Sequence, residues 1–264
     1  FPENEGKPKS AFSDPVIIID PASPENNVAS RITQAEKENI ANILAAIFSL
    51  NQGFHVLVID DGSPDGTAQI VQDLFTQYPN QLFLEQRKGK LGLGTAYIHG
   101  FKWCIAKGYD FIFEMDADFS HNPHDLEKLY DACHLDTADL AIGSRYVTGV
   151  NVVNWPLNRV LLSYFASVYV RLITGMKIMD ATAGFICYRK SVLEAINLDK
   201  IKFIGYAFQI EMKYRAFCKN FNIKEVPVIF TDRTKGQSKM SGAIIKEAVF
   251  GVISLRIRKL FNKL

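Results

Sequence analysis

The sequence predicts an α/β fold, a mostly parallel central sheet flanked by helices. Three observations predict it. Short apolar runs alternate with longer segments whose apolar residues recur at helical spacing, the pattern of successive βαβ units. Several of the apolar runs end abruptly in polar clusters, as strands do where they reach the rim of an open sheet. The 264 residues, 48% hydrophobic and 22% charged, can bury the core of one large α/β domain or two small ones.

The elements follow in order. Residues 1–31 carry five prolines and read as an irregular N-terminal segment in which only "VIIID" (16–20) has strand character. Thr33-Gln34-Ala35-Glu36 has capping-box spacing, and Ile40, Ile43, Leu44, Ile47 and Phe48 continue it as a helix. "HVLVI" (55–59) is a strand that stops at Asp60-Asp61-Gly62, and Thr67 opens a helix with Ile70, Val71, Leu74 and Phe75 on one face. "QLFLE" (81–85) is a strand, followed by the glycine-rich "RKGKLGLG" (87–94) and a helix to about Lys107. "FIFEM" (111–115) is the next strand. Asn122-Pro123 reads as an N-cap with proline in the first helical position, and "DLAIG" (139–143) as a further strand.

Composition excludes several classes. A net charge of +2 gives no global attraction to nucleic acid. The four cysteines lack metal-type spacing and fit reduced thiols in a reducing compartment. The chain opens on a polar, proline-bearing stretch unlike a signal peptide, and no apolar run approaches a membrane span of about 20 residues. The expected location is cytoplasmic, peripheral on the cytoplasmic face of a membrane.

The chemistry is concentrated at the strand ends. Asp116 and Asp118 are two apart, so in an extended segment both face one way. Carboxylates are costly to bury unless paired or metal-bound, and a hard-oxygen pair suits Mg²⁺ or Mn²⁺ together with substrate phosphates. The plain alternative is an acidic pair at a helix N-terminus. Asp60 and Asp61 precede strong turn chemistry, yet a turn needs no second carboxylate directly after a buried strand. "RKGKLGLG" is either a phosphate cradle without the P-loop lysine signature or a basic turn.

Together these segments resemble the inverting GT-A glycosyltransferases of family 2, and within them the dolichol-phosphate (polyprenyl-phosphate) mannosyltransferases. The matching stretches are "VIDDGSPDGT" (58–67), "RKGKLGLGTAY" (87–97), "MDADFSHNP" (115–123), "IGSRYVTG" (142–149), "NWPLNRVLLS" (154–163), "DATAGFICYRKSVL" (180–193), "GYAFQIEM" (205–212) and "TDRTKGQSKMS" (231–241). The resemblance implies a GT-A (Rossmann-like) catalytic domain over 32–240 that transfers mannose from GDP-mannose to a polyprenyl phosphate. It implies a metal at Asp116 and Asp118, and donor contacts from Glu36, Asp60, Asp61, Asp116, Ala117 and Lys239. It makes Asp118, Arg145 and Arg233 catalytic, and assigns the acceptor phosphate to Arg145, Arg159 and Ser163. Arg233 and Lys239 would cover the donor diphosphate. The family's Pro-Thr-Tyr-Asn-Glu is replaced here by Ile32-Thr33-Gln34-Ala35-Glu36, so Glu36 reads equally as ligand contact or capping residue; the strand expected before it, "NNVASR", is poorly apolar, and either "VIIID" is the first strand with an insertion after it or the N-terminal sequence is altered. His121, next to the aspartates, is expected to be structural, the alternative being a water-mediated neighbour of the metal.

A phosphate monoester acceptor has its second ionisation near pH 6, so the nucleophile is already an anion and needs no strong base. Direct displacement would invert the anomeric carbon to a β-linked product. Residues 241–264 form a basic amphipathic helix, expected either on a membrane surface or packed on the sheet with its charges in water. A membrane-anchoring subunit is a further expected partner. The competing readings are a UDP-glucose or other nucleotide-sugar transferase to polyprenyl phosphate, and a catalytically inactive subunit of a transferase complex.

Overall fold

The structure is a computed structural model, and it describes residues 15–20, 34–62, 66–89, 92–203, 205, 207–232, 242–261 and 264. In chain order the elements are β1 (Val16–Asp20), α1 (Gln34–Phe48), β2 (His55–Asp60), α2 (Thr67–Asp73), β3 (Leu82–Gln86), α3 (Leu93–Lys107), β4 (Phe111–Asp116), α4 (Asp125–His134) and β5 (Leu140–Ser144). They continue with β6 (Val152–Val153), α5 (Leu157–Thr174), β7 (Ile186–Arg189), α6 (Lys190–Ala195), α7 (Ala207–Cys218), β8 (Ile223–Pro227), β9 (Phe230–Thr231) and α8 (Gly242–Leu260).

Seven strands form one sheet in the order β3-β2-β1-β4-β7-β5-β8. Neighbouring strands run parallel except on either side of β7, which is antiparallel to both β4 and β5. The strands carry apolar residues on both faces, as a sheet covered on both sides requires. Alternation then sends them to two cores: Val16, Ile18, Leu57 and Ile59 to one, Ile17, Ile19, Val56 and Val58 to the other. Helix α3 presses close on the first face. A Cβ at Gly100 would lie 2.8 Å from the Cδ1 atoms of both Ile18 and Ile59, so any side chain there would force those isoleucines to shift.

Of the two readings of the N-terminal region, the one that makes "VIIID" the first strand holds. That strand is β1, in the middle of the sheet, with Ile18 registered against Leu57 on one side and Glu114 on the other. The sheet therefore begins at Val16 rather than after residue 31. The helix expected from Pro123 starts at Asp125; Asn122 Oδ1 instead accepts the His124 N–H at 3.1 Å, so its capping bond closes a turn before the helix. The expected strands "QLFLE" and "DLAIG" hold with a one-residue shift.

The direction of β7 decides what reaches the working rim. Parallel strands bring their C-terminal ends to one rim. An antiparallel strand brings its N-terminal end there, so the segment before Ile186 reaches the same rim as the ends of β1, β2, β4, β5 and β8. A second, two-stranded sheet, β6 with β9, lies at that rim and registers Val152 with Phe230.

Candidate active site

Strand β4 alternates between core and rim, so Glu114 and Asp116 share one face of it, with Glu114 fully buried and Asp116 half-buried. Beyond the strand, Asp118 Oδ1 accepts the Ser120 N–H at 2.9 Å, and Phe119 takes a φ of +58°. A left-handed aromatic residue is uncommon and costs strain, which concentrates at working loops.

Arg145 follows β5, and here the antiparallel strand takes effect: the segment leading into β7 delivers Asp180 to it. The Arg145 Nε and Nη2 each donate to Asp180 at 2.7 Å, its backbone N–H donates to Asp180 Oδ2 at 3.0 Å, and Nη2 also reaches Thr182 Oγ1 at 2.9 Å. Burial would push the Asp180 carboxyl up, but the Arg145 guanidinium overrides it and holds it below the usual range. The Nε and Nη2 edge of the guanidinium expected to meet an acceptor phosphate is paired with Asp180. What Arg145 turns toward the site is its remaining face, enclosed by the rings of Tyr146, Trp155 and Phe230 at 5.3, 5.4 and 5.6 Å. Strands β6 and β9 hold two of these rings in place, since Trp155 follows β6 and Phe230 opens β9.

Helix α5 presents Arg159 and Ser163 one turn apart. The Arg159 guanidinium lies 4.1 Å from the Trp155 ring centre and donates to Asp232 at 2.8 Å. Helix α7 contributes Gln209, whose Nε2 donates to Glu114, and Lys213, fully buried, whose Nζ donates to the Ala183 carbonyl at 2.5 Å. Burial pushes the Glu114 carboxyl up to about 8 and pulls the Lys213 ammonium down to about 8.

A cavity of about 330 Å³ joins these groups. Asp116, Arg145, Arg159, Ser163 and Gln209 line one part of it. Leu162, Phe165, Tyr169 and Val170 of α5, with Val249 and Val252 of α8, line the rest. Of the residues expected from sequence, the structure thus brings Asp116, Arg145, Arg159 and Ser163 together.

Other expected residues sit elsewhere. Asp60 accepts the Gly62 N–H at 3.2 Å, and Asp61 takes a bidentate ion pair from Arg87 at 2.6 and 2.7 Å. Arg87 also donates to Thr95 at 3.1 Å, so the first residue of "RKGKLGLG" ties β2 to α3. Ala117 and Asp118 are half-buried at the end of β4, outside the lining of this cavity. His121 stacks on Phe185 at 4.8 Å and meets Phe230 edge-on at 5.2 Å, a packing role at the cavity wall. Glu36 falls in the first turn of α1, with its side chain outside the described residues. Arg233, Lys235 and Lys239 lie outside the described residues.

Asp180, Trp155, Phe230, Gln209 and Lys213 are not singled out by the sequence, whereas Glu114 belongs to the polar cluster at the end of its strand. Asp180, Trp155 and Gln209 lie inside the matching stretches, but no spacing rule links Asp180 to Arg145 across 35 residues; only the sheet topology does.

The donor set fits a small, hard divalent cation. Among the described residues no three His, Cys, Asp or Glu side chains converge on one point, so the protein offers the carboxylates Asp116 and Asp118 and no closed cage. Mg²⁺ and Mn²⁺ favour that arrangement, taking their other oxygens from a diphosphate and water.

An open, mostly parallel sheet with carboxylates and cations gathered at its strand ends is the arrangement of the GT-A glycosyltransferase fold. Solved structures share the fold. Glucosyl-3-phosphoglycerate synthase from Mycobacterium tuberculosis, in complex with UDP, superimposes with a TM-score of 0.62 at 14% identity, over 92% of this chain and 80% of that one. TarS from S. aureus superimposes with a TM-score of 0.54 at 19% identity, over 92% of this chain and 65% of that one. The chain belongs to glycosyl transferase family 2, whose model matches residues 32–196. It is 46% identical to a polyprenol monophosphomannose synthase of Mycolicibacterium smegmatis over 226 residues, 86% of this chain and 85% of that one. It is 47% identical to an undecaprenyl-phosphate mannosyltransferase of Micrococcus luteus over 197 residues, 75% and 80% of the two.

Proposed function

We propose that this glycosyltransferase moves mannose from GDP-mannose to the phosphate of a polyprenyl phosphate, with inversion to a β-linked lipid-phosphate mannose. One observation carries the reading: the same cavity is lined by a carboxylate and two guanidinium groups in one part and by apolar side chains of α5 and α8 in the rest. A lipid phosphate has that polarity. The two mannosyltransferase relatives support the choice of sugar and acceptor.

Asp116 and Asp118 would hold Mg²⁺ or Mn²⁺, which when bound neutralises charge on the donor diphosphate. Arg159, with Ser163 a turn away, positions the attacking phosphate oxygen, and Arg145 adds fixed positive charge beside it. The Asp180 pair and the three rings hold that guanidinium still, so little reorganisation is needed as charge develops. The acceptor oxygen is already anionic and no side chain need remove a proton. Arg233 and Lys239 would cover the diphosphate, while Asp60, Asp61, Glu36 and Ala117 would serve the nucleoside side.

The acceptor also calls for a membrane surface. Leu157, Leu161, Phe165 and Leu172 of α5 are exposed, as are Phe250, Ile253, Ile257 and Leu260 of α8, and the two helices pack together. Arg256, Arg258 and Lys259 punctuate α8. Exposed apolar groups among basic ones suit the interface of an anionic bilayer. No helix among the described residues is long and apolar enough to cross a membrane.

The test is calorimetric titration of GDP-mannose and UDP-glucose with Mn²⁺, beside transfer kinetics of the Arg159→Ala variant. We expect tighter binding of GDP-mannose, and a variant whose donor affinity is unchanged while its acceptor use falls. Preference for UDP-glucose, or parallel loss of donor binding, would contradict the proposal.

A further inference from the structure

Asp180 steadies Arg145, and something must in turn hold Asp180. Its carboxylate is fully engaged. Oδ2 accepts the Arg145 backbone N–H at 3.0 Å and Nε–H at 2.7 Å, while Oδ1 accepts Nη2–H at 2.7 Å and the Thr182 hydroxyl at 3.4 Å. Yet residues 175–185, between α5 and β7, belong to no helix or strand, so no ladder of backbone bonds sets the place of Asp180. Side chains from neighbouring elements set it instead. Glu225 of β8 takes the Met179 N–H on Oε2 at 2.7 Å and the Asp180 N–H on Oε1 at 2.8 Å. Lys213 of α7 holds the far end of the same stretch through the Ala183 carbonyl at 2.5 Å.

The grip of Glu225 is specific. Successive N–H groups of an extended chain point to opposite sides, so two that converge on one carboxylate make a turned backbone shaped around an anion. The sheet explains why a carboxylate stands there. Glu225 is registered with Ile142 of the parallel strand β5, three residues before Arg145, so both side chains share one face of the sheet. On that face Ile142 packs in one core with Met176, Ile178, Ala181 and Ala183, the stretch that carries Asp180. Glu225 itself is half-buried and is not part of the cavity wall, whereas Arg145 is. Any influence of Glu225 on a bound phosphate therefore passes through Asp180 and Arg145. Lys213 is fully buried and also reaches the Gln209 carbonyl, so its removal would disturb the core at large; Glu225 is the cleaner handle on the same stretch.

We infer that Glu225 is a positioning residue for the transfer: by gripping the Met179 and Asp180 N–H groups it sets where Asp180 holds the Arg145 guanidinium beside the acceptor phosphate. The inference rests on the proposed function, in which Arg145 supplies fixed positive charge at that point. The test uses the full chain as wild type, Glu225→Gln, Asp180→Asn and the double variant, with Mn²⁺, GDP-mannose and undecaprenyl phosphate in detergent. Glutamine keeps the shape of the side chain but sets an amide N–H against one of the two backbone donors. Glu225→Gln is expected to lower kcat/KM for the acceptor by about tenfold or more, with GDP-mannose affinity unchanged. In the Asp180→Asn background the same change is expected to lower transfer by less than about twofold, because the link through which it acts is already lost. A merely structural residue would cost the same factor in both backgrounds. Glu225→Asp keeps the charge but withdraws it by one methylene, and gives the same reading should the glutamine variant fail to fold. Should the double variant fail to fold, NMR of ¹⁵N-arginine-labelled protein reads the link directly: the Arg145 Nε–H is expected to exchange with solvent at least about tenfold faster in Glu225→Gln than in wild type. Three results overturn the inference while leaving mannosyl transfer standing: a folded Glu225→Gln that uses the acceptor as wild type does, equal losses in the two backgrounds, or unchanged exchange at Arg145. Absence of transfer by wild type is different, since it removes the proposed function, while the exchange at Arg145 still reports the grip of Glu225.

Discussion

Arg145 serves two purposes that compete in any single experiment. It faces the cavity, and it neutralises Asp180, a fully buried carboxylate. Removing one partner of a buried pair leaves an uncompensated charge, so Arg145→Ala should destabilise the fold by about 3–5 kcal/mol, read from denaturant unfolding. Arg159→Ala should cost under about 1 kcal/mol, since its pair with Asp232 is partly exposed. The acceptor-phosphate assignment is therefore tested at Arg159. Asp180 gives a pH signature. Burial would raise its carboxyl, but Arg145 leaves it lowered from 3.8. A carboxyl lowered in the folded state adds stability above its unfolded value, lost as pH falls through the folded one. Thermal melts below about pH 4 should thus fall more steeply for wild type than for Asp180→Asn. At the rim, Asp118→Asn should keep the Ser120 bond and the melting temperature but lower transfer at least about 100-fold, measured at saturating Mn²⁺. Residue identity made Asp116, Asp118, Arg145, Arg159 and Ser163 visible in the sequence. It could not show that Arg145 is paired with Asp180, because Asp180 reaches it only through the fold.

The elements were legible where local pattern decides and obscure where pairing does. Strands β2 and β4 and helices α1, α3 and α5 announce themselves by apolar runs and helical spacing. Strand β1 has the same signal but is followed by residues 21–33, whose polar content hides its place between β2 and β4. Strand β7 is short and gives no hint that it runs antiparallel, yet that direction carries Asp180 and Thr182 to Arg145. Helix α8 shows amphipathic character in sequence, and the structure divides its apolar residues. Val252 and Leu255 are buried, while Phe250, Ile253, Ile257 and Leu260 are exposed. If the exposed set meets a bilayer, Phe250→Asp/Ile257→Asp should abolish co-sedimentation with anionic vesicles and lower use of long-chain acceptor, with transfer to a short-chain, detergent-soluble acceptor kept. Vesicle binding equal to wild type would show that this face has another purpose.

For the whole molecule, the sheet gathers at one rim the chemistry that the chain scatters over more than a hundred residues. That assembly is why one cavity offers carboxylate, guanidinium, hydroxyl and apolar wall together. The most direct measurement is transfer itself. Purified chain, Mn²⁺, GDP-mannose labelled in the sugar and undecaprenyl phosphate in detergent are incubated together, and the lipid product is examined by NMR at the anomeric centre. The expected result is label in the lipid fraction as a β-linked mannosyl phosphate, formed by wild type and lost in Asp118→Asn. An α-linked product, or label that enters lipid only when UDP-glucose replaces GDP-mannose, would contradict inverting mannosyl transfer at this site.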